Sequence, residues 1–484
     1  MRRTGRARVV GRSRRPFLVA LPVVALAAVS ALSPVPRPTD ARAGIPRRNI
    51  VVILTDDQTP DSIPHSPPVM PTLQRMITDP SDRWIRFSHT YFNMSLCCPS
   101  RATILSGQFD THTQVQTNGN GPLFNESSTV ATWLHTAGYH TGFYGKYLNN
   151  WPYGRPLYTP PGWDNFVAFI TDEDRYYNYQ LYNPDVPELV ESHSNLPADY
   201  STTVVADKAV QFIDSAPAGQ PFFLMFTPRA PHPPSIAPPG RSGTYQGLAP
   251  THSPSFNEAD VSDKPNWVQA LPLLADRGTK KADAKRRKSY EALIGVDRAV
   301  GAITDSLAAN GELDNTVIVY LTDNGYAFGE HRYSGKACQY VQCEATPLFI
   351  RYPGATAHVE PALASNVDIA PTLAAIAGAT PTIAVDGRSL TPYLDGGSPG
   401  SWRSGVLIHW VGAKRSPGYW GVYTRDYLYT ELSKGTVNIE LYDLTGRIGP
   451  ADPDEMENRS NDPAYAAVRT QLASLLATLK ATAA

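Results

Sequence analysis

The chain has 484 residues, of which 42% are hydrophobic, so it is long and apolar enough to bury a large core. Its formal net charge of -1 supplies no basic surface, which argues against nucleic acid as a partner. These properties predict one large α/β domain with a smaller unit attached to it.

The N-terminal segment is typical of an export signal. Arginines are concentrated in residues 2–15, an apolar run follows from Phe17 to Leu32, and Ala41-Arg42-Ala43 offers a small-x-small cleavage site. The stretch from Ser13 to Leu18, S-R-R-P-F-L, resembles a twin-arginine signal. The apolar run is short for a membrane span, and no cysteine near the cleavage site could carry a lipid. We therefore expect residues 1–43 to be removed and the mature protein to be secreted without a membrane anchor.

Two fully apolar stretches predict buried strands that end in pairs of oxygen-bearing side chains. Residues 49–55 stop at Asp56 and Asp57, and residues 316–322 stop at Asp323 and Asn324. Neighbouring parallel strands would bring both pairs to one edge of a sheet, where ligands of open α/β sheets collect. Either pair alone is also consistent with a helix cap or a turn. The two together predict a site for a hard cation, which prefers oxygen ligands.

Further elements complete the predicted α/β fold. Strands are expected at residues 221–226 and 347–352, and apolar residues at helical spacing predict a helix from Tyr290 to Leu307. This alternation predicts a large, mixed, mostly parallel sheet between layers of helices over residues 44–400. Short alternating strands and one terminal helix predict a small antiparallel C-terminal unit over residues 401–484.

The segment Cys97-Cys98-Pro99-Ser100-Arg101 carries the clearest chemical signal. Pro99 is suited to the first turn of a helix, and Arg101 would then lie one turn from Cys97, offering a planar fork to a tetrahedral oxyanion. A cysteine pair in a metal site usually needs further cysteines or histidines at ligand spacing, and none is close in the sequence. A buried helix start is the structural alternative.

The pattern C-x-P-S-R, followed by Leu105-Ser106-Gly107, resembles the signature of type I sulfatases, a family of the alkaline phosphatase superfamily. Four further segments resemble the same family, and the resemblance covers about residues 48–480: Met70–Leu73, Gly138–Lys146, Ala230–His232 and Gly329–Lys336. It implies an alkaline phosphatase-like fold and a secreted sulfuric ester hydrolase acting on a sugar or aryl sulfate, either a small molecule or an oligosaccharide.

The resemblance also implies a cofactor and a modification. A formylglycine-generating enzyme would convert Cys97 into Cα-formylglycine, the catalytic nucleophile. The metal would be calcium, and its implied ligands are Asp56, Asp57, modified Cys97, Asp323 and Asn324.

Four other positions receive catalytic roles from the same resemblance. Arg101 and Lys146 would bind the modified residue and the sulfate, His232 would lie near the bridging oxygen, and Lys336 would bind a sulfate oxygen. Specificity for the leaving group is expected to depend on the loops at residues 172–200 and 240–285.

One departure concerns the group that accepts a proton when sulfate is eliminated. Many sulfatases carry a histidine two residues after the G-K lysine, where this chain has Leu148. The forms G-K-Y-L-N and C-C-P-S-R resemble the N-acetylglucosamine-6-sulfatase branch more than the arylsulfatases. We expect His331 to substitute as the proton acceptor, and a plain loop histidine is the alternative.

Two other functions are weighed against a sulfatase. A phosphonate or phosphate ester hydrolase of the same superfamily is the nearer alternative. A phosphate ester carries more negative charge than a sulfate ester, and a site for a dianion would need more cations than Arg101, Lys146 and Lys336. A non-catalytic carbohydrate-binding protein is supported by the missing histidine at Leu148 alone.

The other two cysteines predict a small disulfide. Cys338 and Cys343 could close a short loop in a protein that matures outside the cell. A reduced, buried pair is the alternative.

Overall fold

The computed structural model of the protein describes residues 47–63, 65–170, 176–414 and 416–484. The predicted export signal at residues 1–43 and part of the 172–200 loop lie outside these residues. In the described chain the strands are β1 (Asn49–Thr55), β2 (Trp84–Tyr91), β3 (His140–Gly145), β4 (Asn165–Phe169), β5 (Gln180–Tyr182), β6 (Val190–Ser192), β7 (Phe222–Thr227), β8 (Thr316–Thr322), β9 (Ala327–Phe328), β10 (Ser334–Gly335), β11 (Leu348–Arg351), β12 (His358–Ser365), β13 (Val406–Trp410), β14 (Tyr419–Tyr423), β15 (Tyr427–Leu432) and β16 (Ile439–Asp443).

The α-helices of the same residues are α1 (Pro71–Thr78), α2 (Cys97–Ser106), α3 (Asp110–Thr113), α4 (Val130–Thr136), α5 (Ser201–Asp214), α6 (Asn266–Gln269), α7 (Asp276–Ala309), α8 (Val341–Glu344), α9 (Ile369–Ala377), α10 (Thr391–Leu394) and α11 (Ala466–Thr482). None of the helices in the described residues is both long and apolar enough to cross a membrane.

Ten strands form one sheet in the order β12-β2-β11-β8-β1-β7-β3-β4-β5-β6. At its centre β8, β1, β7, β3 and β4 run parallel to one another. Strand β11 is antiparallel to both β8 and β2, and β5 and β6 add an antiparallel edge. This mixed, mostly parallel sheet confirms the predicted fold class.

Helices cover both faces of this sheet. Alternate residues of a strand point to opposite faces, so Val52 and Leu54 of β1 pack in one apolar core with residues of α2, α4 and α9. Val51 and Ile53 pack in a second core with residues of α1, α5 and α7. Because both faces are buried, β1 is a continuous apolar run rather than an alternating one.

Helix α7 is longer than the sequence predicted. The apolar spacing predicted a helix from Tyr290 to Leu307, whereas α7 begins at Asp276 and ends at Ala309. Its first turns carry exposed lysines, including Lys280 and Lys281, so the apolar periodicity that reveals a buried helix face is weak there.

The C-terminal residues form the predicted small antiparallel sheet with a helix. Strands β13 to β16 pair in sequence order, and α11 packs on one face. The other face contacts the end of β2, where Tyr423 stacks on Tyr91 with 4.0 Å between ring centroids. Beside this contact Cys338 and Cys343 form a disulfide, which confirms the predicted pairing.

Candidate active site

The register of β1 and β8 brings the two predicted ligand pairs together. Thr55 lies opposite Thr322 in this parallel pairing, so Asp56 and Asp57 leave the sheet beside Asp323 and Asn324. The N–H of Asp57 donates to Asp323 Oδ1 at 3.2 Å, and Asn324 Nδ2 donates to Asp57 Oδ1 at 2.6 Å. All four side chains are buried.

Cys97 is the first residue of α2 and faces these carboxylates. Its sulfur lies 3.6 Å from Asp56 Oδ1 and 4.0 Å from Asp57 Oδ1, and the residue is 1% exposed. The N-terminus of a helix is the positive end of the helix dipole, which favours an anion beside Cys97.

Two asparagines that the sequence did not single out hold the start of α2. Asn366 accepts from the N–H of Asn93 and donates to Ser100 Oγ, so it joins the residues on either side of Cys97. Asn118 Oδ1 accepts from the N–H of Cys98 at 3.1 Å. A lone asparagine far away in the sequence has no pattern that would reveal this role.

Two lysines also lie among the charged groups around Cys97. Lys336 Nζ lies 2.6 Å from Asp57 Oδ1 and 2.7 Å from the Cys97 sulfur. Lys146 Nζ donates to Asp56 Oδ2 at 2.6 Å. Gly145 allows this placement, because a Cβ there would lie 2.0 Å from the Thr227 carbonyl oxygen and the residue has φ +130.

Arg101 lies near one aspartate of each ligand pair. Its Nε donates to Asp323 Oδ2 at 2.7 Å, and another guanidinium nitrogen donates to the carbonyl of Lys146 at 2.6 Å. Its third nitrogen is buried, lies 3.8 Å from Asp56 Oδ2, and donates no hydrogen bond within the described chain. That nitrogen is therefore a donor available to a bound anion.

His232 reaches the same carboxylates. Its Nε2 lies 3.4 Å from Asp57 Oδ2. Its Nδ1 lies 2.7 Å from the carbonyl oxygen of Pro233, and because a carbonyl oxygen can only accept, Nδ1 carries the proton of this hydrogen bond.

Burial and neighbouring charges act in opposite directions on these groups. Burial alone would raise the pKa of Asp56, but Lys146, His232 and Arg101 hold it well below its ordinary value. Burial alone would lower the pKa of Lys146, and the Asp56 carboxylate raises it instead. Burial raises the pKa of the Cys97 thiol well above its ordinary value despite the nearby lysines. Burial and the neighbouring Asp56 raise the pKa of Asp323. The site therefore holds a charged Asp56 carboxylate and cations around an uncharged thiol.

The donor atoms fit a hard cation such as calcium. Asp57 Oδ2 and Asn324 Oδ1 are buried and accept no hydrogen bond from the residues that the structure describes. A possible ligand group, whose donor atoms all lie within 4.8 Å of one another, comprises Asp56, Asp57, Cys97 and His232. Carboxylate and amide oxygens are the ligands that calcium prefers. The sequence expected His232 to act on the leaving group and did not predict it among the ligands.

His331 lies apart from this cluster. Its Nδ1 is 2.7 Å from Glu258 Oε2, and its ring stacks on Tyr340 with 3.9 Å between centroids. Within the described residues it forms no hydrogen bond with the groups around Cys97, and its Nε2 is buried without a partner. Leu148, at the position where many sulfatases have a histidine, is 2% exposed and packs in the apolar core.

Comparison with known proteins gives the family to which the chain is similar. The sequence model of the family described as sulfatase matches residues 48–379, and that of the C-terminal region of N-sulphoglucosamine sulphohydrolase matches residues 329–482. The chain is 32% identical to an arylsulfatase of Volvox carteri, over 91% of this chain and 75% of that protein. It is 31% identical to human N-acetylglucosamine-6-sulfatase, over 86% of this chain and 81% of the human protein.

Solved structures also have a similar fold, and one of them contains a bound substrate. It is that of BT4656 in complex with its substrate D-glucosamine-2-N,6-O-disulfate, with a TM-score of 0.76 and 24% identity. The similarity covers 90% of this chain and 98% of that one.

Proposed function

The chain belongs to the sulfatase family, and from that premise we propose that it is a secreted enzyme that hydrolyses the 6-sulfate ester of a glucosamine-type sugar. The sulfuric ester hydrolase activity follows from the family, and the human relative and the substrate of BT4656 support a sugar leaving group. The export route, the metal and the modified nucleophile are parts of the same proposal.

The observation that carries the proposal is the surroundings of Cys97. Its sulfur lies at a helix N-terminus, within 4.0 Å of two carboxylates and 2.7 Å from Lys336. We infer that a formylglycine-generating enzyme converts Cys97 to Cα-formylglycine, whose hydrate supplies one hydroxyl to attack sulfur and a second to expel the sulfate. Such nucleophilic catalysis divides a hard displacement into two easier steps.

The cations around Cys97 suit a tetrahedral anion. Lys146, Lys336 and the unpartnered nitrogen of Arg101 would stabilise the charge on the sulfate oxygens as it shifts in the transition state. Calcium, held by Asp56, Asp57, Asp323, Asn324 and residue 97, would supply further charge neutralisation. A phosphate monoester carries more negative charge than a sulfate ester. The three cations of the site also neutralise the nearby aspartates, so little positive charge is left for a dianion, which favours the sulfate ester as substrate.

Two histidines receive separate proton-transfer roles. Protonated at Nε2, His232 would donate to the bridging oxygen of the leaving alkoxide, since its Nδ1 proton is held by the Pro233 carbonyl. His331 stays our candidate for the proton acceptor in sulfate elimination. If Nδ1 of His331 donates to Glu258, its Nε2 is the basic nitrogen, and a water would have to bridge it to residue 97.

The test is to produce the chain with and without a formylglycine-generating enzyme. The peptide containing Cys97 should show the mass of the aldehyde only in the first preparation, and only that preparation should release sulfate from glucosamine 6-sulfate. Cys97→Ala should fold and be inactive. Equal activity of the unmodified protein would disprove the mechanism.

The competing functions give different results in the same assay. Hydrolysis of a phosphonate or phosphate monoester in preference to any sulfate ester would identify an ester hydrolase of the other type. Calcium and sugar binding without hydrolysis of any sulfate ester would identify a carbohydrate-binding protein.

A further inference from the structure

A cavity of about 180 Å³ is lined in part by residues that closely follow the predicted cation ligands in the sequence. One wall is formed by residues 59–61, which follow Asp57 at the end of β1. Another wall includes Tyr326 and Glu330, which follow Asn324 at the end of β8. Because both walls continue from the two ligand pairs, the cavity lies at the same edge of the sheet as Cys97.

Two polar side chains of the cavity have no partner in the described chain. Thr59 is 4% exposed, and its hydroxyl makes no hydrogen bond with the described residues. Buried hydroxyls normally find a partner, so this one is available to a ligand. Asp454, half-buried on the opposite wall, forms no ion pair and no side-chain hydrogen bond in that part of the chain.

The charge of the cavity is negative. Its cation, Arg286, already binds two carboxylates, those of Asp61 and Glu330. Glu330 also accepts from the N–H of Phe328, and Asp61 accepts from the hydroxyl of Tyr290. The third carboxylate, Asp454, forms no ion pair in the described chain. Burial, Asp452 and Glu330 raise its pKa, and the charge of His331 offsets this only in part. This excess of carboxylates favours a ligand group that donates hydrogen bonds and disfavours an anion.

A second, larger cavity continues from the first. It measures about 940 Å³ and shares Asp61 and Thr251 with the smaller cavity. Its lining includes Tyr245, Leu248 and Pro250, which offer apolar surface. These residues belong to the 240–285 loop, where the sequence predicted the determinants of specificity. A ligand bound in the small cavity thus has room to extend away from the reacting sulfate.

We propose that the small cavity binds the sugar of the sulfate ester, and that Asp454 excludes sugars that carry a second anionic group in addition to the reacting sulfate. This inference rests on the proposed sulfatase function. The sugars selected would present hydroxyl, amide N–H or ammonium groups to Asp454 and Thr59. Glucosamine 6-sulfate meets this requirement, whereas glucosamine 2-N,6-O-disulfate brings a second anion.

The experiment compares kcat/KM for these two sugars, using protein that carries formylglycine. The wild type should prefer glucosamine 6-sulfate, and Asp454→Asn should raise the relative kcat/KM of the disulfate by roughly tenfold, because one like-charge repulsion is removed. Glu457→Gln, which neutralises an exposed carboxylate three residues away, should keep the wild-type ratio. The Asp454 side chain makes no described hydrogen bond, so the asparagine variant is expected to fold.

Two further measurements separate the possible failures. An aryl sulfate, which lacks the sugar, reports the proposed function by itself, and failure to hydrolyse it or either sugar would overturn both proposals. Raising the salt concentration should increase the relative use of the disulfate by the wild type, since salt screens the repulsion. If the aryl sulfate is hydrolysed but neither Asp454→Asn nor salt changes the sugar ratio, the role of Asp454 is wrong and the sulfatase function stands.

Discussion

Two buried glutamates predict that the folded protein loses stability as pH rises through neutrality. Burial raises the pKa of Glu344 to about 8, and burial raises that of Glu455 to about 8 as well. Glu344 accepts from the hydroxyls of Tyr419 and Ser95, and within the described residues neither glutamate forms an ion pair. Both carboxyls are therefore neutral in the folded protein near pH 7.

The size of the effect follows from proton binding in the two states. A glutamate in an unfolded chain titrates near pH 4.3. Between about pH 5 and pH 7.5, each group holds a proton in the folded state that it loses on unfolding. The free energy of unfolding therefore falls by about 1.4 kcal/mol per pH unit for each group, or about 2.8 kcal/mol per pH unit for the two together. The loss ends above the folded pKa of about 8.

Urea denaturation at pH 5.5, 6.5 and 7.5 measures this slope. Glu344→Gln cannot ionise, so its stability should fall less steeply with pH than that of the wild type, by about 1.4 kcal/mol per unit. Glu457→Gln removes an exposed carboxylate and should keep the wild-type slope. Equal slopes for the wild type and Glu344→Gln would refute the reasoning, whatever the absolute stabilities.

Three other predictions concern the site. Exhaustive chelation should lower turnover, and calcium should restore it better than magnesium, whose octahedral geometry suits this shell poorly; full activity after chelation would exclude the metal. Asp323→Asn should lower the free energy of unfolding by about 3 kcal/mol, because the buried Arg101 loses the carboxylate that it binds. Thermal melting should therefore show a lower melting temperature for this variant and little change for the control Asp314→Asn, which removes an exposed carboxylate. His331→Asn keeps a donor for Glu258 without a basic nitrogen, so it should give one burst of product and accumulate sulfated enzyme, and normal steady-state turnover would disprove the role.

The sequence was most informative where local pattern and tertiary position coincide. Strands β1 and β8 are buried on both faces, so their apolar runs were visible and the polar pairs that end them stood out. Because β1 and β8 are parallel and in register, the polar pairs at their carboxyl ends lie side by side. The first half of α7 was missed for the opposite reason, since its exposed lysines carry no apolar period.

The cavity next to the site had no such signal. Thr59 and Asp454 lie almost 400 residues apart, and each is a common loop residue with nothing in its neighbours to distinguish it. The charge of the cavity depends on which carboxylates Arg286 binds. Tertiary packing decides that pairing, and the spacing of these residues in the sequence does not reveal it. Such properties emerge only when the chain is folded.

The absence of a histidine at position 148 is likewise a matter of packing. Leu148 is 2% exposed and belongs to the same core as Tyr147, Trp151 and Phe166. A histidine there would bury a polar ring among aromatic side chains, where an unpaired nitrogen is costly. The chain thus has an apolar side chain, packed in a core, at this position. If the proposed two-step reaction is right, its proton acceptor must lie outside this core, and that is the question the test on His331 answers.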